Sequence, residues 1–243
     1  MTEKVTRIDV NGLCTLTLNR PEKLNALDNE VFEQLDAHLA AIETSTSTVG
    51  CVVLHGAGRA FCAGADLTAF GTPVPKTWKP KIVERLASLP QPLVAVVQGA
   101  CMTGGLELAL AADLIVADAS ARFADTHGKW GLVGEWGMTQ RLPRRVGLAT
   151  AKRMMLTARI VEAEEAGQIG LADIVVPAGE LDAAVAELTG AILANSWHTN
   201  LATKRLLTET DGMSLADGLS HEHYRNPGFA PDWEERIARF SKK

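Results

Sequence analysis

Three short stretches, "GCVVLHG" (50–56), "PLVAVVQG" (92–99) and "DLIVAD" (113–118), constrain the fold of this chain more than any other feature. Each is a nearly continuous apolar run, and the first two end in glycine. A strand with one face in water alternates apolar and polar residues, whereas an unbroken run of this length suits a strand buried on both faces. A sheet of such strands needs cover on both sides, and helices supply it. The chain is therefore expected to form an α/β fold with a central sheet.

The flanking segments agree. "VTRIDVNGLCTLTL" (5–18) reads as two short strands around Asn11-Gly12, a strong hairpin signal. "LDNEVFEQLDAHLAAIE" (27–43) carries Phe32, Leu35, Leu39 and Ile42 on one helical face, with Asp28 as the expected N-cap. From about residue 145 the pattern becomes mostly helical, with only the strand-like "ADIVV" (172–176) between helices. The predicted organisation is an α/β core over 1–185 and a C-terminal helical region over 186–243. "TAFGTPVPKTWKP" (68–80) contains three prolines and reads as an irregular loop.

At 243 residues the chain can bury a sizeable core. No apolar run approaches the roughly 18 residues of a membrane span, and the polar N-terminus does not read as a signal peptide, so a cytoplasmic protein is expected. A net charge of −5 argues against nonspecific nucleic-acid binding, but allows a small anionic ligand held by a few local cations. The cysteines, Cys14, Cys51, Cys62 and Cys101, form no CxxC pair and read as reduced thiols.

Several familiar chemistries do not fit. Gly56-Ala57-Gly58 follows a strand, but Phe61 stands where a dinucleotide fingerprint needs its third glycine. There is no GK[ST] and no GxSxG. His221-Glu222-His223 on a charged helix reads as surface, and no metal site is expected. "FCAGADL" (61–67) and "MTGGLELALAADLIVAD" (102–118) are more informative. Each places small residues directly before an expected helix, where open backbone N–H groups can cradle an anion or a developing oxyanion. Tight helix–sheet packing would use the same small residues.

Taken in order, "LTLNRPEKLNALD" (16–28), "GAGRAFCAGADL" (56–67) and "PLVAVVQGACMTGGLELALAADLIVAD" (92–118) resemble the enoyl-CoA hydratase/isomerase, or crotonase, family. The likeness continues to residue 176. It implies a ββα superhelix core that binds acyl-CoA, a C-terminal region used for oligomerisation, and a homotrimer or homohexamer. Leu206, Leu207, Trp233, Ile237 and Phe240 are the apolar tail residues expected at such contacts. It implies no cofactor beyond the coenzyme A carried by the substrate, and a place in fatty acid metabolism.

Residue by residue, the resemblance puts the two oxyanion-hole N–H groups on Ala65 and Gly104. It puts coenzyme A beside Lys23, Leu24, Ala26, Ala63, Asp66 and Leu67. Of the two glutamates that hold water in the hydratases, the first maps to Glu107. The second position carries His127 instead. Glu135 falls where some isomerases, dehalogenases and hydrolases of the family carry a catalytic carboxylate. Both lie in "HGKWGLVGEWG" (127–137), a glycine-rich loop that lines the acyl pocket in the family, where Trp130 and Trp136 read as core or pocket wall. The expected activity is hydration of a 2-enoyl-CoA by Glu107 with His127, a histidine that is mostly neutral at its unperturbed pKa of about 6.5. Isomerisation or another enolate reaction through Glu135, and acyl-CoA binding without efficient catalysis, are the alternatives.

Overall fold

The computed structural model describes residues 3–69 and 73–240. Residues 70–72 of the expected loop, and the side chain of Phe240, lie outside what is described. The chain opens with the predicted hairpin, β1 (Val5–Val10) and β2 (Leu13–Leu18), closed by Asn11 at φ 50° and Gly12 at φ 85°. Two consecutive left-handed residues are what a two-residue hairpin turn requires, and Asn-Gly adopts them at least cost. Asp28 caps α1 (Asn29–Glu43) by accepting from the Val31 N–H at 2.9 Å, and Phe32, Leu35, Leu39 and Ile42 are all fully buried.

The chain then coils. Each turn sends one strand to a large sheet and a second, shorter one to a small sheet. The first turn comprises β3 (Cys51–Gly56), an isolated bridge at Cys62, and α2 (Trp78–Ala87). The second comprises β4 (Leu93–Val97), β5 (Ala100–Met102) and α3 (Gly104–Ala109). The third runs through β6 (Leu114–Asp118), β7 (Arg122–Ala124), α4 (Met138–Val146) and α5 (Leu148–Thr157). It continues through β8 (Val161–Glu162), α6 (Ala163–Gln168) and β9 (Ile174–Val176). The large sheet has the order β1-β2-β3-β4-β6-β9, and the small one β5-β7-β8. From β2 onward the large sheet is parallel. This is the ββα superhelix that the resemblance implied.

The three apolar runs are the central strands, and both their faces are buried. Val52, Leu54, Ala95, Val97, Ile115 and Ala117 enter the main core with α1 and α2. Cys51, Val53, Val94, Val96 and Val116 face the other way, onto Leu181, Val185 and Leu188 of α7 (Leu181–Ala194). The expected boundary at 185/186 therefore falls inside a single continuous helix. That helix belongs to the core, because it covers the second sheet face. The remainder of the chain is α8 (Trp197–Glu209), α9 (Leu215–Arg225) and α10 (Trp233–Phe240).

The proline-rich loop is shorter than expected, because α2 starts at Trp78 and takes Pro80 into its first turn, where the missing N–H is harmless. Among the described residues no helix is long and apolar enough to cross a membrane. Among the described residues no cluster of three or more His, Cys, Asp or Glu is arranged to hold a metal, and His221 meets Glu209 at 2.7 Å. All four cysteines are free and buried.

Candidate active site

The register of the small sheet builds the site. Cys62 bridges Cys101, and Cys101 pairs with Phe123, all in parallel. Three residues past each paired position come Ala65, Gly104 and Thr126, so successive turns of the coil leave the sheet in step. All three line one cavity of about 730 Å³.

At Ala65 the chain makes a parallel bridge with Leu27: the Leu27 N–H donates to the Gly64 carbonyl, and the Asp66 N–H to that of Leu27. In such pairing alternate N–H groups point to opposite sides, so the Ala65 N–H is turned away from Leu27. Gly104 is the first residue of α3, where N–H groups have no intrahelical acceptor. Among the described residues neither N–H finds a protein acceptor. Two open donors thus border the cavity. The stretch after Ala65 forms only a short 3₁₀ turn, Leu67–Ala69, not the helix expected there.

Thr103 precedes Gly104 with φ 52° and ψ −110°, an unfavourable conformation for a β-branched residue. Its N–H donates to the Ala124 carbonyl, and its Oγ1 lies 2.5 Å from Thr126 Oγ1. These bonds hold the strained turn that aims the Gly104 N–H. Glycine at 104 is also a matter of space, since a Cβ there would stand 2.4 Å from the Trp136 ring.

Glu107 sits one turn along α3 with 1% of its side chain exposed. Its Oε1 accepts from the N–H of Trp136 (2.8 Å), in the glycine-rich loop, and from that of Met138 (3.1 Å), the first residue of α4. The other oxygen, Oε2, lies 3.8 Å from His127 Nε2. On its far side His127 Nδ1 is 2.6 Å from Asp125 Oδ1, which also accepts from the His127 backbone N–H at 3.0 Å. A carboxylate only accepts hydrogen bonds, so Nδ1 carries a proton and Nε2 is presented to Glu107.

The electrostatics follow from this line of groups. Burial pushes the Glu107 carboxyl above its ordinary pKa, against the lowering pull of the Met138 and Trp136 N–H groups and of His127. Burial by itself would lower His127, but the hydrogen bond and charge of Asp125, with the charge of Glu107, outweigh it and hold His127 above its ordinary value. His127 therefore does not keep the unperturbed value expected of it, because Asp125 lies against its ring.

Other expected residues fall in different places. Glu135 lines the same cavity but is 52% exposed, with Lys76 Nζ 3.8 Å away. Ala63, Asp66 and Leu67 line the cavity; Lys23, Leu24 and Ala26 do not. The latter three are joined to it through the backbone, since the Ala63 N–H donates to the Leu24 carbonyl. Asp66 is occupied by Arg20 (3.0 Å) and by the N–H and hydroxyl of Thr68. Trp136 packs edge-on against Phe32, with ring centroids 5.0 Å apart, while Trp130 is an exposed wall residue and not core.

Asp125, Thr103 and Thr126, which hold His127 and the turn before Gly104, are not marked by the family motifs. The spacing Asp-Thr-His in "FADTHGKWGL" was the available signal for Asp125, because an aspartate commonly accepts from a backbone N–H two residues on.

A family model described as enoyl-CoA hydratase/isomerase matches residues 9–226. The chain belongs to this family. Among its crotonase-family relatives is a probable peroxisomal enoyl-CoA hydratase 1 of Arabidopsis thaliana, 33% identical over 218 residues, covering 88% of this chain and 82% of the relative. Another is the 1,2-epoxyphenylacetyl-CoA isomerase of Escherichia coli K12, 33% identical over 245 residues, with 96% and 93% coverage. The crystal structure of an enoyl-CoA hydratase from Bacillus anthracis superposes with a TM-score of 0.93 at 29% identity, covering 99% of this chain and 96% of that one. The protein is an enzyme of the crotonase family, and both hydratases and isomerases stand among its relatives.

Proposed function

We propose that the protein hydrates a 2-enoyl-CoA thioester. The observation that carries this reading is the pairing of Glu107 Oε2 with His127 Nε2, 3.8 Å apart on the cavity wall. A water can sit at about 2.8 Å from both atoms at once, an ordinary hydrogen-bond length. Hydration needs one base and one acid on the same side of the double bond. A pair sharing one proton supplies both, whichever member holds it.

In the proposed step the N–H groups of Ala65 and Gly104 hold the thioester oxygen. The base of the pair takes a proton from water as the water oxygen bonds to Cβ, and the Cα–Cβ double bond becomes an enolate. The acid of the pair then delivers its proton to Cα. Water's two hydrogens are thereby divided between the new hydroxyl and the pair, which ends with the one proton it began with. Fixed N–H dipoles at the enolate oxygen are worth about 3 kcal/mol each in comparable sites. Asp125 acts through His127 as a positioning residue, holding the ring so that Nε2 faces the water.

Isomerisation through Glu135 is the second reading, favoured by the presence of that carboxylate on the cavity wall and by the name of the Escherichia coli relative. The exposure of Glu135 and its ion pair with Lys76 count against it, since solvent and a neighbouring cation compete for the carboxylate that would have to shuttle the proton. Assaying crotonyl-CoA hydration and 3-enoyl-CoA isomerisation with Glu107→Gln and Glu135→Gln separates the readings. Loss of hydration in Glu107→Gln, with less than about a tenfold change in Glu135→Gln, supports the first. The reverse pattern on the isomerase substrate supports the second. An acyl-CoA-binding protein would turn over neither.

A further inference from the structure

Lys79 is a charged residue of the cavity that the hydration chemistry leaves unused. It lines the cavity from the first turn of α2, half-buried, with Nζ 5.4 Å above the centre of the Phe32 ring. Among the described residues it has no carboxylate partner. The other charged groups of the cavity are matched: Asp66 with Arg20, Lys76 with Glu135, and Glu107 with His127. A cation in the first turn of a helix also opposes the helix dipole, so local helix stability gives no reason for a lysine here. Burial lowers the Lys79 pKa, and the charge of Asp28 offsets this only in part.

Its position relative to the reaction centre is defined by a chain of contacts. Gly104, which offers an N–H to the thioester oxygen, lies against Trp136. The Trp136 ring packs 5.0 Å from that of Phe32, and Lys79 stands over Phe32. Lys79 and Trp136 therefore share the cavity lining, joined from behind by the buried Phe32 ring, along a wall that also includes Leu27, Leu67 and Val74. An apolar wall carrying a single ammonium without a carboxylate partner suits an acyl chain that is apolar along its length and anionic at its end. We propose that the acyl group is a short ω-carboxylated chain whose terminal carboxylate pairs with Lys79. This rests on the acyl-CoA reading above and specifies its substrate class.

A carboxylate and the coenzyme A phosphates are both anions that Lys79 could meet, and one comparison distinguishes them. Affinities of the full chain for adipyl-CoA and hexanoyl-CoA, saturated ligands differing only in the terminal group, are measured by calorimetry for the wild type, Lys79→Gln and Lys79→Arg. The preference for adipyl-CoA over hexanoyl-CoA is expected to fall by about ten- to a hundredfold in Lys79→Gln, the range for loss of a charge-assisted hydrogen bond. Lys79→Arg should keep most of it. An unchanged ratio overturns the proposal, as does an equal loss for both ligands, which would place Lys79 on the phosphates. Crotonyl-CoA hydration by the same wild-type sample tests the underlying reading separately. Hydration with a flat ligand ratio overturns only the assignment of Lys79, whereas failure to bind either ligand overturns both.

Discussion

Replacing Glu107 by glutamine and by alanine should produce two different kinds of damage. Glutamine keeps an acceptor for the Trp136 and Met138 N–H groups but cannot exchange a proton with water. Turnover should fall by about 10²- to 10⁴-fold, the usual contribution of a positioned acid or base, while the fold stays intact. Alanine leaves both N–H groups buried without an acceptor, at roughly 1–3 kcal/mol each. For a chain of this size that corresponds to a fall in melting temperature of roughly 2–4 °C per kcal/mol.

The pH dependence has a definite sign. Because the folded protein raises the Glu107 pKa, its contribution to stability is complete below the unfolded carboxyl value of about 4.3 and is lost as pH rises through the folded value. Glutamine does not titrate, so the stability of Glu107→Gln relative to wild type should improve as pH rises from the unfolded carboxyl value through the folded one, and level off above it. Calorimetric melting of the three proteins across that range, with hydration rates on one enoyl-CoA, provides the assay. A glutamine variant as unstable as the alanine variant, or slowed less than tenfold, would refute the reasoning.

The hydration rate should follow a bell-shaped pH profile set by the one-proton state of the Glu107–His127 pair. Asp125→Asn removes the negative charge that holds the His127 proton, so the alkaline limb should move to lower pH, and NMR titration of the histidine in the free protein should move with it. Gly104→Pro removes an N–H donor and pushes ring atoms toward Trp136, so it should abolish turnover, as steady-state rates will report. Leu215 is 81%, Phe229 79% and Ile237 56% exposed on the single chain, so light scattering at micromolar concentration should report a trimer or a pair of trimers. A monomer would refute that expectation.

The sequence alone determined the parts of the molecule whose signals are local. Unbroken apolar runs mark strands buried on two faces, Asn-Gly marks a turn needing two left-handed residues, and Asp28 marks a helix start. Each of these depends on neighbours within a few positions. The family motifs likewise pointed to Ala65, Gly104 and Glu107 as candidates, and all three line the cavity, because their spacing to adjacent elements is short. What sequence could not supply depends on contacts between turns of the coil. The register Cys62–Cys101–Phe123 is a pairing of distant segments, and it brings Ala65, Gly104 and Thr126 to one cavity. The protonation of His127 depends on Asp125 and Glu107 together, and Glu107 lies twenty residues away on another turn. Lys79 meets Phe32 only because α2 crosses α1. The helix over 181–194 reads as part of a helical tail until the second face of the sheet is seen to need its cover. Local propensity and spacing are written along the chain, but charge balance, burial and the meeting of remote groups exist only once the chain has packed.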